Sequence, residues 1–85
     1  MKRITPWKDL ANVPSEACEY KLYAGKKLLR NGSSCDCKRR LREHKKKIKQ
    51  ATGFTFQLAR SARAARIIER LDCLIQRPPM NKRCG

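Results

Sequence analysis

Between residues 21 and 50 the chain carries twelve basic side chains against two acidic ones, a net +10. That concentration of like charge limits the fold more than any other feature. A compact state must hold these side chains apart or set them beside a polyanion. Residues 1–20 balance three bases with three acids, and residues 51–85 hold seven bases and two acids. Over all 85 residues the formal charge is +15, from 22 Lys plus Arg and 7 Asp plus Glu. A chain of this length builds one small domain with a modest core. A single domain is expected over residues 1–85, with 1–14 a near-neutral N-terminal segment and 78–85 a tail.

The segments read as helices joined by short turns. Thr5-Pro6 suits the start of a short helical turn around Trp7 to Ala11. Ser15 is a fitting N-cap for a helix over about 16–30, with Glu16 and Glu19 in its first turn and Asn31-Gly32 as its stop. At 100° per residue Cys18, Leu22, Gly25 and Leu29 share one stripe, and Tyr20 and Tyr23 point elsewhere. A second helix is expected over about 36–51, where Cys37, Leu41, His44, Ile48 and Ala51 form a thin apolar seam on a cationic rod. A third is expected over about 55–76, stopped by Pro78-Pro79, with Leu58, Ala65, Ile68, Leu71 and Ile75 as its core face. Arg63, Arg66, Arg70 and Arg77 cluster on its far side. The fold class that follows is all-α: three helices, a short N-terminal helical turn and an extended basic C-terminal tail, as a small bundle or laid out on a larger assembly.

The five cysteines are read as thiols or metal ligands before disulfides, because Met1-Lys2-Arg3 is followed by Ile4-Thr5-Pro6 and not by an apolar signal stretch. Cys18, Cys35, Cys37 and His44 are the residues a zinc ion would use. They contain no C-x-x-C pair, and Cys37 and His44 would stand about 10 Å apart along one helix axis. No metal or other cofactor is expected, with zinc as the alternative. Packing between helices accounts for Cys18, Cys37 and His44 more simply.

Catalysis is not expected. The chain has one histidine, no paired-carboxylate arrangement, no glycine-rich phosphate loop and no nucleophile–base set at a recognisable spacing. No apolar run is long enough to span a bilayer. The charge pattern points instead to nucleic acid. An ordinary solvated helix mixes signs, whereas residues 38–49 set eight bases against Glu43. The expected contacts are with phosphates, from Lys38, Arg39, Arg40, Arg42, Lys45, Lys46, Lys47 and Lys49 on the second helix and Arg60, Arg63, Arg66 and Arg70 on the third. Few Asn, Gln, Ser or Thr stand beside those arginines to read base edges, so RNA is favoured over DNA. The expected function is non-catalytic RNA binding as a small structural component of a ribonucleoprotein such as a ribosome, together with other proteins of that assembly. The expected location is a ribosome-containing compartment, cytoplasm or mitochondrion, and not the secretory route. The alternatives are a helix-turn-helix-like DNA-binding protein, a viral or phage regulator, an adaptor docking on an acidic protein surface, and basic helices lying on an anionic membrane.

Overall fold

Residues 18–24 alternate where a helix would cycle. Cys18, Tyr20, Leu22 and Ala24 stand at every second position, the period of a strand. In the computed structural model, which describes residues 4–81, they form strand β2 (Cys18–Ala24), paired antiparallel with β3 (Lys27–Ser34). Gly25 turns the corner with φ 61. Glycine at the first central position of a two-residue loop is what a type II′ hairpin requires. The helix expected over 16–30 is therefore a β-hairpin. Its apparent helical stripe arose because Cys18, Leu22 and Leu29 also fit a 3.6-residue period by chance.

The all-α expectation is overturned more widely. The elements run β1 (Thr5–Pro6), a 3-10 helix (Trp7–Asn12), β2, β3, α1 (Cys37–Lys47), β4 (Gly53–Leu58) and α2 (Ala62–Gln76). The four strands form one sheet in the order β1-β4-β2-β3, every pair antiparallel. The expected third helix thus divides. Its first residues, with Phe54-Thr55-Phe56 at their centre, are aromatic and β-branched and suit a pleated sheet. Helix α2 begins only at Ala62, where the Ser61 hydroxyl accepts from the Ala64 amide. The helix expected over 36–51 survives as α1, with Asp36 accepting from the Arg39 amide.

Strand register assigns the side chains to two faces. Opposite one another on the first face are Cys18, Ser34 and Leu58, then Tyr20, Gly32 and Phe56, then Leu22, Arg30 and Phe54. Helix α1 covers this face. Its seam residues Cys37, Leu41 and His44 are buried, as are Ile48 and Ala51, which the expected helix included but which follow the end of α1, and the apolar members meet Leu10, Val13, Leu22 and Phe54 in the main core. Trp7 closes the core from the 3-10 helix. Its ring centroid is 5.2 Å from that of Phe54, and its Nε1 donates to the Ala51 carbonyl.

A disulfide joins Cys18 to Cys37, with Cα atoms 5.5 Å apart. This corrects the reading of the cysteines as thiols or zinc ligands. Cys73 is also disulfide-bonded, and Cys35 is a free, exposed thiol. Among the described residues no cluster of His, Cys, Asp and Glu could hold a metal ion.

The second face is polar and lies under α2. Lys21 Nζ donates to Glu19 and Asp72 at 2.8 and 2.7 Å. Burial works against its charge, but the hydrogen bonds from Lys21 to the two carboxylates outweigh it and raise its pKa. Asn31 Nδ2 donates to the Glu69 carbonyl, and the Ser33 hydroxyl to Glu69 Oε1. These bonds set the rotation of α2. Ala65 and Cys73 are buried, while Leu71 and Ile75, expected in its core face, are exposed, as is Leu58 on β4. After α2 the chain returns along β3. The Met80 amide donates to the Leu29 carbonyl, and the Asn81 side chain both accepts from the Asn31 amide and donates to its carbonyl. The expected extended tail is thus docked as far as Asn81, and its last four positions lie outside the described residues.

Gly32 faces the Tyr20 ring so closely that a Cβ there would collide with the hydroxyl and the ring carbons. Gly32→Ala should cost about 1–3 kcal/mol in urea unfolding. In a Tyr20→Ala background, where the ring is gone, the same substitution should cost much less. Equal costs in both backgrounds would show that the ring is not what requires glycine.

Candidate functional site

Tyr20 lies mid-strand on β2, and His44 lies in the last turn of α1, whose seam faces the sheet. Their side chains meet between the two layers, where the Tyr20 hydroxyl and His44 Nε2 are 2.6 Å apart. Both residues are buried. Gly32 makes the approach possible by leaving the space beside the ring open.

Charged groups surround this pair. Arg30 lies on β3 and Arg40 one helical turn before His44, with Glu43 and Lys47 on the same helix, while Glu69 acts on Tyr20 from α2 across the sheet. Burial raises the Tyr20 pKa to about 12 although Arg30 and Arg40 oppose the rise, with Glu69 and Glu43 adding to it. Burial also lowers the His44 pKa to about 4, assisted by Arg30 and Arg40. At neutral pH the tyrosine therefore keeps its proton and the imidazole has none to spare, which suits an O–H···N bond from Tyr20 to His44. Arg40 has only a loose partner, Glu43, at 3.8 Å on the exposed surface. Arg30 Nε is buried with no hydrogen-bond partner among the described residues. Glu69 is held from the other side by Ser33.

The arrangement combines a buried hydrogen-bonded tyrosine–histidine pair with two nearby guanidinium groups, of which Arg30 has an unpartnered Nε among the described residues. Arginine in this state is suited to phosphate, which it can bind through two parallel bonds. A neutral imidazole beside a hydroxyl can take up a proton through that hydroxyl.

The residues singled out by charge are placed differently from expectation. Lys38, Arg39, Arg40, Arg42, Lys45, Lys46 and Lys47 lie on α1 and Lys49 just after it, and all but the half-buried Lys38 are exposed. Arg60, Arg63, Arg66 and Arg70 are exposed on or just before α2. The two helices cover opposite faces of the sheet, so these groups are not one continuous surface. Of them, Arg40 and Lys47 act on His44 by their charge, and Arg40 acts on Tyr20 as well. Of the zinc candidates, Cys18 and Cys37 are spent on their disulfide, Cys35 is exposed, and His44 is bound to Tyr20.

Arg30 and Glu69 were not singled out, and Tyr20 was read only as pointing away from the apolar stripe. The three come from β3, α2 and β2 and form no local motif. The legible signals were the alternation of residues 18–24 and the i, i+4 spacing of Arg40 and His44.

Comparisons with family models, with curated proteins and with solved structures give no match. Among the described residues no helix is long and apolar enough to cross a membrane.

The His44 shift has a consequence for stability. A histidine held at about 4 in the fold and at its ordinary 6.5 when unfolded takes up its proton only on unfolding between those values. Its contribution is complete above pH 6.5 and is lost as pH falls through about 4, on the order of 3 kcal/mol in all. Urea unfolding from pH 7 to 4 should show this loss. His44→Gln should flatten that part of the profile, and an unchanged profile would show that His44 is not held neutral.

Proposed function

We propose that the protein binds nucleic acid, RNA in preference to DNA, by its phosphate backbone and without catalysis. The observation that carries this reading is the exposure of Arg39, Arg40, Arg42, Lys45, Lys46 and Lys47 along α1, with Glu43 the one acid among them. The Tyr20–His44 pair is buried beneath that helix and serves to hold it.

The chemistry follows from the side chains. The exposed bases of α1 hold the strand by counterion release, and the guanidinium groups of Arg39, Arg40 and Arg42 can each meet a phosphate through two parallel bonds. RNA is the favoured ligand, since these side chains offer little means of reading a duplex by its edges.

Such a protein suits a place as a small structural component of a ribonucleoprotein. Fluorophore-labelled single- and double-stranded RNA and DNA, titrated at several salt concentrations with the wild-type chain and the triple Lys45→Gln, Lys46→Gln, Lys47→Gln variant, test the reading. RNA should bind more tightly than DNA, and the triple variant should bind more weakly, with a shallower salt dependence. Absence of binding, or unchanged binding by the triple variant, would remove it.

A further inference from the structure

Helix α2 keeps its polar bonds inward and turns a row of aliphatic side chains outward. Ile67, Leu71, Leu74 and Ile75 are 54, 56, 46 and 80% exposed. At 100° per residue they span about 100° of the helix surface, opposite the buried Ala65. The spacing of Ile67, Leu71 and Leu74 is i, i+4, i+7, the seam by which one helix packs along another. On so charged a protein a continuous aliphatic row is a surface for a partner rather than scattered exposure.

The flanks say what kind of partner. Arg63, Arg66, Arg70 and Arg77 are exposed and lie together along one side of the row. The two carboxylates of α2, Glu69 and Asp72, are engaged inward, by Ser33 and Lys21, so no acid on this helix offsets those arginines. We propose that this face docks an amphipathic helix of a partner protein that carries aliphatic residues along its seam and Asp or Glu along the edge that meets the arginines. A second copy of the chain fits less well, because each copy carries a formal +15 and each would bring its arginines to an interface lacking free acids. An anionic bilayer fits less well too. A helix lying in a membrane surface is served by basic residues on both sides of its apolar sector and by aromatic anchors. Here the basic rim is on one side, and the row has no aromatic residue. Phosphate backbones have no use for the aliphatic row.

The probe is a pair of synthetic 21-residue helical peptides with the same leucine seam, one flanked by Glu and the other by Lys, each labelled for anisotropy against the full chain. The Glu-flanked peptide should bind, and the Lys-flanked peptide should bind at least tenfold more weakly. Leu71→Ser with Leu74→Ser should abolish binding while leaving Tm unchanged, since both side chains face solvent. Arg66→Gln with Arg70→Gln should weaken the Glu-flanked peptide and narrow its advantage. Equal binding of both peptides, or none by either, overturns the proposal. So does a dimeric mass in light scattering that Leu71→Ser with Leu74→Ser returns to monomer, which would make a second copy the occupant. Binding to phosphatidylserine vesicles without binding to the Glu-flanked peptide overturns it in favour of a lipid surface.

Discussion

The contact between Tyr20 and His44 across the bare backbone of Gly32 is the constraint on which the rest of the structure turns. It joins the central strand to α1 and sets the depth at which the helix sits. With the Cys18–Cys37 disulfide at the other end of α1, it fixes that helix at two points along its length. The helix then directs its apolar seam at Leu22 and Phe54 and leaves nearly every charged side chain in solvent. A helix with so many like charges would not stay folded on propensity alone. It is held because two covalent or buried attachments and one thin seam outweigh the repulsion among its bases.

The two faces of the sheet solve different problems. Under α1 the contacts are apolar and close-packed, apart from the tyrosine–histidine pair. Under α2 they are polar, with Lys21 shared between Glu19 and Asp72 and with Asn31 and Ser33 holding Glu69. Polar bonds specify angle more tightly than they supply burial energy. Such a layer orients α2 without consuming its aliphatic residues, which is why Leu71 and Ile75 remain on the outside.

Part of this was legible in the residues. The seam of Cys37, Leu41, His44, Ile48 and Ala51 repeats cleanly enough to identify both the helix and its buried side. The separation of charge along the chain was equally plain. The hairpin was hidden because Cys18, Leu22 and Leu29 satisfy two periods at once, and because Asn31-Gly32 looks like a helix stop when its glycine in fact answers a ring on the neighbouring strand. Strand β4 was hidden because the alanine-rich run after it is so strongly helical that the helical reading spread backward over Thr55 to Leu58. The candidate site was hidden for a related reason. Tyr20, Arg30 and His44 are brought together only by the pairing of β2 with β3 and the docking of α1, and no local spacing announces a contact made by tertiary structure.

The side chain of Asn81 gives the β3 backbone a donor and an acceptor where a fifth strand would otherwise supply them, and the Met80 amide adds a third bond nearby. At the opposite border β1 covers β4 only at Gly53 and Phe54. The open margin is then reduced mainly to the last residues of β4, too short a template for ordered growth. Chains of this kind can be brought close together at high concentration without their sheets fusing into fibrils.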